Sequence, residues 1–326
     1  MKNIVRILGT TLSVFVAGFI ILAVFNFGTT AYTVLYGVLQ FVGLALVWNL
    51  MFGKLNYVNF GTAGFFGTGG YITAYLLTKQ ITAFSLAKLF PAMIAGGLGA
   101  AGLGLVIALA TMRLRGIYFA IATLAVAVVM MRVVQNTPAL GAGHGLYFVP
   151  PSAPAIFSTL TELLVLVMFA VVLVAVAIIW YIDSSWIGDV FTAIGNDETA
   201  ARAVGINTYR VKFSTATLHA FLFGLVGSSL VLFQTYIDPP STFSINYSIN
   251  AVAMPLLGGT GVWFGPIVGA VILATVREMM TLFWGSQYSQ IIPGIVLIVV
   301  ISAAPHGLTP YLQAAKRRIT SIGSSE

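Results

Sequence analysis

Four charged residues, Asp189, Asp197, Glu198 and Arg202, fall in or just before one short stretch, Phe191 to Asn207, which reads FTAIGNDETAARAVGIN. Charge is sparse elsewhere: only 7% of the 326 residues are Asp, Glu, Lys or Arg. The other side chains that could do chemistry are thin on the ground. Cysteine is absent, which removes disulfides, thiol catalysis and cysteine-ligated metals. The three histidines, His144, His219 and His306, are scattered, and no nucleophile–base set or metal triad stands beside them. Gly53-Lys54 is the only Gly-Lys pair, and it lacks the upstream glycine and the following Ser/Thr of a phosphate cradle. The chain therefore reads as non-catalytic, with no metal and no cofactor of its own.

Composition explains why charge is scarce. Hydrophobic residues make up 59% of the chain, whereas a soluble domain carries about 25% charged residues to wet its surface. Apolar stretches of 18 or more residues recur, each able to cross a hydrocarbon core roughly 30 Å thick. The alternating ~10-residue segments of a transmembrane barrel are missing. The fold class is all-α: a polytopic helical membrane protein forming one transmembrane domain over residues 1–326. Its net charge of +7 is read as the positive-inside bias of membrane loops, not as a nucleic-acid surface.

Ten spans are expected, at about 7–26, 31–51, 57–77, 89–110, 117–135, 160–182, 213–236, 247–262, 264–283 and 290–304. The first follows Lys2 and Arg6 and is too long for a signal-peptide core, so it is expected to be retained. The eighth and ninth meet at Gly258-Gly259-Thr260-Gly261 and read equally as full spans or as a broken, re-entrant pair. With the N-terminus in the cytoplasm, the inner side holds Lys2, Arg6, Lys54, Arg113, Arg115, Arg202, Arg210, Lys212, Lys316, Arg317 and Arg318, and the outer side only Lys79 and Lys88. That asymmetry places both termini in the cytoplasm. The outer loop at roughly 136–159, with GAGHGLYFVPPSAP, has no Lys or Arg and reads as a short ordered cap.

The opening stretch then lies on the cytoplasmic side, in a loop of about 183–212. Asn196 or Asp197 can cap a helix whose positive first turn holds Asp197 and Glu198. Ala200, Ala201, Ala203 and Val204 follow, and Gly205 supplies a left-handed stop. Such a helix has a slim apolar face and about two turns, too few to be stable alone. It must dock, either on its own neighbours or on a partner.

The segment GDVFTAIGNDETAARAVGINTYRVKFSTATLHAFLFGLVGSSL resembles the cytoplasmic signature of permeases of branched-chain amino-acid ATP-binding-cassette importers. Gly188, Ala193, Ile194, Glu198, Ala200, Ala201, Gly205, Ile206 and Lys212 fall on matching positions, while the usual Arg is Gly195 here. Three more stretches are similar: VNFGTAGFFGTGGYITAYL, with Thr62 where a His is common; RLRGIYFAIATLAVAVVM, with Val128 for a frequent Gln or Glu; and PLLGGTGVWFGPIVGA. GAGHGL matches the family's outer-loop pattern only loosely, His144 being one altered place. The resemblance covers about residues 35 to 300 and is closest to the LivM-type subunit. It implies that the loop is a coupling helix seated in a cytoplasmic ATPase. It also implies a heterodimer with a second permease, two ATPase subunits that hold ATP and Mg, an extracytoplasmic binding protein, and a bacterial inner-membrane location.

Polar residues inside spans are candidates for the translocation path, because each costs energy in lipid unless it faces protein or water. These are Asn59, Thr62, Tyr71, Thr123 and Gln135; hydrogen bonding between helices is the competing use. Arg277 and Glu278 in the ninth span point about 100° apart on a helix, and Arg132 either snorkels or attracts a substrate carboxylate. Glycines at small-residue spacing, Gly61, Gly64, Gly67 and Gly70 on the third span and Gly96, Gly97, Gly99, Gly102 and Gly104 on the fourth, allow close helix crossing. The competing functions are a related permease for urea, short amides or another small metabolite, and an ion-coupled secondary transporter, for which Glu278 and Glu162 are the intramembrane acids.

Overall fold

A computed structural model of the chain describes residues 28–78, 86–111, 113–114, 116–147, 159–260, 262–285 and scattered positions between 291 and 309. The expected first span lies outside the described residues, as does most of the tenth. In chain order the helices are α1 (Thr29–Phe52), α2 (Thr62–Thr78), α3 (Leu86–Thr111), α4 (Ile117–Gln135) and α5 (Leu160–Asp183). They continue with α6 (Trp186–Asn196), α7 (Glu198–Ala203), α8 (Thr208–Gln234), the single turn α9 (Pro239–Thr242), α10 (Ile245–Gly258) and α11 (Gly265–Trp284). Two residues each of β1 (Leu146–Tyr147) and β2 (Tyr236–Ile237) pair antiparallel. Five described helices, α1, most of α3, α4, α5 and α8, are long and apolar enough to cross a membrane.

The bundle has two ends. At the near end α1 stops and α2, α4 and α8 begin, and Lys54 pairs with Asp183. At the far end the β1–β2 pair ties the loop after α4 to the end of α8. Two boundaries differ from the sequence reading by five residues. α2 starts at Thr62 because Asn59 and Gly61 form a turn, the Asn59 Oδ1 accepting from Gly61 N at 2.8 Å. α8 starts early, at Thr208, because Asn207 caps it through Arg210 N at 3.1 Å.

Lipid tails are as apolar as leucine, so close packing rather than hydrophobic expulsion must hold such helices together. Here α2, α3 and α8 meet backbone to backbone. A Cβ at Gly69 on α2 would overlap the Gly224 backbone of α8, and one at Gly227 would overlap the Phe66 carbonyl. The same seam carries hydroxyls: Thr73 donates to Ser228 at 2.8 Å, and Ser228 donates to Gly224 O at 2.7 Å. Gly102, by contrast, faces open space.

α10 has 14 residues, about 21 Å at 1.5 Å per residue, short of a hydrocarbon core of ~30 Å. Side chains at Gly258, Gly265 or Gly269 would overlap backbone of the facing helix or of the turn between α10 and α11. The glycines of PLLGGTGVWFGPIVGA thus fold α10 back on α11. On α11, Arg277 lies over the Phe41 ring at 4.7 Å and Glu278 packs on Gly37, so both face α1.

Gly69→Ala is expected to lower stability by about 1–3 kcal/mol through overpacking. Gly102→Ala is expected to raise it by up to about 1 kcal/mol, since alanine has the better helix propensity. Thermal unfolding of the detergent-solubilised protein distinguishes the two.

Candidate functional site

At the near end α5, α6, α7 and α8 follow one another with almost no loop. Asp197 is extended, with φ −154°, and its Oδ1 accepts from Thr199 N at 2.7 Å and Ala200 N at 3.1 Å. This caps α7 while ending α6. Gly205, at φ +91°, supplies the left-handed turn that a side chain would resist.

The inner side of this segment grips the loop between α1 and α2. Gly188, Phe191 and Ile194 are buried on α6 and Ala201 on α7, while Ala193 is half-buried. A Cβ at Gly188 would sit 3.1 Å from Lys54 Nζ, and one at Gly195 would overlap the Lys54 carbonyl. Gly195 stands where the resembling pattern carries Arg, and here the backbone of Lys54 leaves no room for a side chain. Lys54 Nζ reaches Asp183 Oδ1 at 2.9 Å.

The outward surface of α7 is therefore narrower than its alanines imply. Ala201 points inward at 3% exposure, whereas Thr199, Ala200, Ala203 and Val204 are exposed, Val204 at 78%. Ala201, about 100° around the helix from its exposed neighbour Ala200, instead packs on the chain's own neighbouring elements.

Glu198 ties the segment down. Its carboxylate accepts from Lys212 Nζ at 2.8 Å, from Tyr57 OH at 3.0 Å, from Thr208 Oγ1 at 3.2 Å and from Arg202. Lys212 is 2% exposed and also donates to Tyr57 at 3.0 Å. Burial works against the charged carboxylate, but the bonds from Lys212, Arg202 and Tyr57 outweigh it and hold Glu198 down at about 2. Beside α7 opens a cleft of ≈ 500 Å³ with Arg113, Arg202, Asn207 and Tyr209 in its wall.

The polar path candidates separate into three places. Asn59, Thr62 and Thr123 are buried near the start of α2. Thr123 accepts from Phe60 N at 3.2 Å, Thr62 donates to Ser248 at 2.8 Å, and Ser248 donates to Phe60 O at 2.8 Å. These bonds hold α2, α4 and α10 together. Gln135 lies at the far end and accepts from Arg132 at 3.0 Å. Tyr71 is buried at mid-depth, stacked on Phe243 with ring centroids 5.6 Å apart. Sequence reasoning missed Tyr57, Asp183 and Ser248. Tyr57 is a polar aromatic two residues before Asn59, and its signal was hidden by reading the loop as the start of a span.

Glu198→Gln strips the buried Lys212 ammonium of its Glu198 carboxylate and is expected to cost on the order of 3 kcal/mol. Adding Lys212→Met is expected to recover much of it, as thermal unfolding would show. Because the Glu198 pKa is depressed in the fold, its contribution is full above the unfolded carboxylate value near 4.5 and is lost as pH falls towards about 2. An acid titration of melting temperature should show a component in that window that Glu198→Gln removes.

Comparisons with known proteins agree on one kind of chain. Residues 30–301 match the family model described as the branched-chain amino acid transport system / permease component. The high-affinity branched-chain amino acid transport system permease protein LivM of Escherichia coli is 26% identical over 314 residues, covering 87% of this chain and 70% of that one. The ribose import permease protein RbsC of Haemophilus influenzae is 28% identical over 139 residues, 40% of this chain and 42% of its own. The permease protein LivH of Salmonella typhimurium is 25% identical over 151 residues, 46% of this chain and 48% of its own. No solved structure matches. The chain belongs to the family of branched-chain amino acid transport permeases, membrane components of ATP-binding-cassette systems.

Proposed function

We propose that this chain is one permease subunit of an importer that carries branched-chain, hydrophobic amino acids across a bacterial inner membrane. It crosses about ten times, with both termini and the near end of the bundle in the cytoplasm. α7 is the coupling helix. A second permease completes the path, two ATPase subunits bind ATP and Mg, and an extracytoplasmic binding protein delivers the cargo. The observation that carries this reading is a capped helix too short to stand alone. Glu198, Lys212 and Tyr57 clamp it to the bundle, and it presents Thr199, Ala200, Ala203 and Val204 outward.

Mechanically, the clamp makes α6, α7 and the loop carrying Lys54 and Tyr57 one body. An ATPase pushing on Val204 moves the ends of α1, α2, α5 and α8 together instead of bending a loose loop. The cationic cleft beside α7 suits an acidic side chain of the ATPase. A second reading, a permease of the same build for a different small metabolite, is favoured by the stretch shared with a ribose import permease. ATP-driven uptake of leucine against ribose separates them.

Purification in mild detergent from native membranes is expected to bring down an ATPase and a second permease with the wild type. Val204→Asp and Ala200→Trp change only the outward face and should lose the ATPase while keeping the second permease. Absence of any ATPase from the wild type, under conditions that preserve other membrane complexes, would sink the coupling reading.

A further inference from the structure

At the far end the chain re-enters the bundle in broken form. α8 stops at Thr235, left-handed at φ 58°. β2 follows, and Asp238 then caps α9, accepting from Ser241 N at 3.1 Å. α9 ends after one turn, and α10 starts afresh at the cap Ser244. The break lies level with the middle of α2: Phe243 sits on Gly67, where any side chain would overlap its ring, and stacks on Tyr71. Irregular backbone at such depth persists only where protein or a water-filled cavity satisfies it. A helix starting there also places its partly positive N-terminus level with the middle of α2.

A second, independent observation points to a ligand. Tyr71 OH and Thr242 Oγ1 are buried, at 2% and 1% exposure, and neither has a hydrogen-bond partner among the described residues. Tyr71 and Phe243 belong to an apolar cluster with Ala74, Val134, Val231 and Ile237. An unsatisfied hydroxyl destabilises the state that buries it. Phenylalanine and valine would fill the same space at lower cost. Two such hydroxyls beside a helix break are explained if another state of the protein satisfies them.

We propose that the α9–α10 break is a binding station for the carboxylate end of a small apolar amino acid. Tyr71 and Thr242 donate to the carboxylate, and the N-terminus of α10 faces its charge. The apolar cluster receives the side chain once Phe243 leaves its notch on Gly67. The Phe243 ring occupies that notch here, so the station is shut in this structure. The proposal rests on the importer reading and adds to it the residues that meet the cargo.

The test is uptake of radiolabelled leucine by the complete importer reconstituted in proteoliposomes with its binding protein. Tyr71→Phe and Thr242→Val are each expected to cut uptake about fivefold, the value of one ordinary hydrogen bond. Melting temperature should be unchanged or higher, because an orphan hydroxyl is gone. Thr242→Ser should keep wild-type uptake. Unchanged uptake in both variants would overturn the station, as would a loss that merely follows a lowered melting temperature. A wild-type complex that takes up no leucine on ATP addition would instead overturn the importer reading, and the station with it.

Discussion

A helix in hydrocarbon gains nothing by hiding leucine from lipid, so the bundle depends on how closely its backbones can approach. The contact of Gly69 with Gly224, and of Phe66 with Gly227, sets that approach for α2 and α8. It brings Thr73 within hydrogen-bond reach of Ser228, and α3 packs against both helices at the same seam. The same device recurs where Gly258, Gly265 and Gly269 let α10 fold back on α11. Small residues thus decide where the helices come closest.

Against that apolar frame, one polar knot stands out. Glu198, Lys212, Tyr57, Arg202 and Thr208 join α7 and the start of α8 to the loop between α1 and α2, which is far away in sequence. Placing a lysine at 2% exposure is unfavourable unless a carboxylate meets it. Glu198 can meet it only with α7 formed and docked. The knot therefore makes the position of a short helix conditional on the position of the loop between α1 and α2. A slim outward face can then pass force inward without its own hydrophobic core.

Much of this was legible beforehand, because membrane spans and caps are written in short-range patterns. Ile117–Gln135 and Leu160–Asp183 follow directly from runs of apolar residues between breakers. The cap at Asp197 and the stop at Gly205 follow from residue type. What failed to show was anything set by distant partners. Ala201 and Ala200 look alike in sequence, yet burial separates them. The sequence shows that Gly195 replaces the usual arginine but not why, whereas in the fold the Lys54 carbonyl occupies the space. Thr62 and Thr123 read either as lining for a path or as hydrogen bonding between helices, and the fold engages both in bonds between elements. Tyr71 kept an open hydroxyl, and no local pattern marks which threonine or tyrosine will.

The central claim is that α7 and the loop bearing Tyr57 move as one body. Since the chain has no cysteine, spin labels can be placed at Val204 and Asn56, both exposed, and at Tyr147 on the far end. Distances would be measured in the assembled complex with and without ATP. The account predicts that the Val204–Asn56 distance stays fixed while the Val204–Tyr147 distance changes. A Val204–Asn56 distance that shifts with nucleotide would mean that α7 swings free of the loop, contradicting the account.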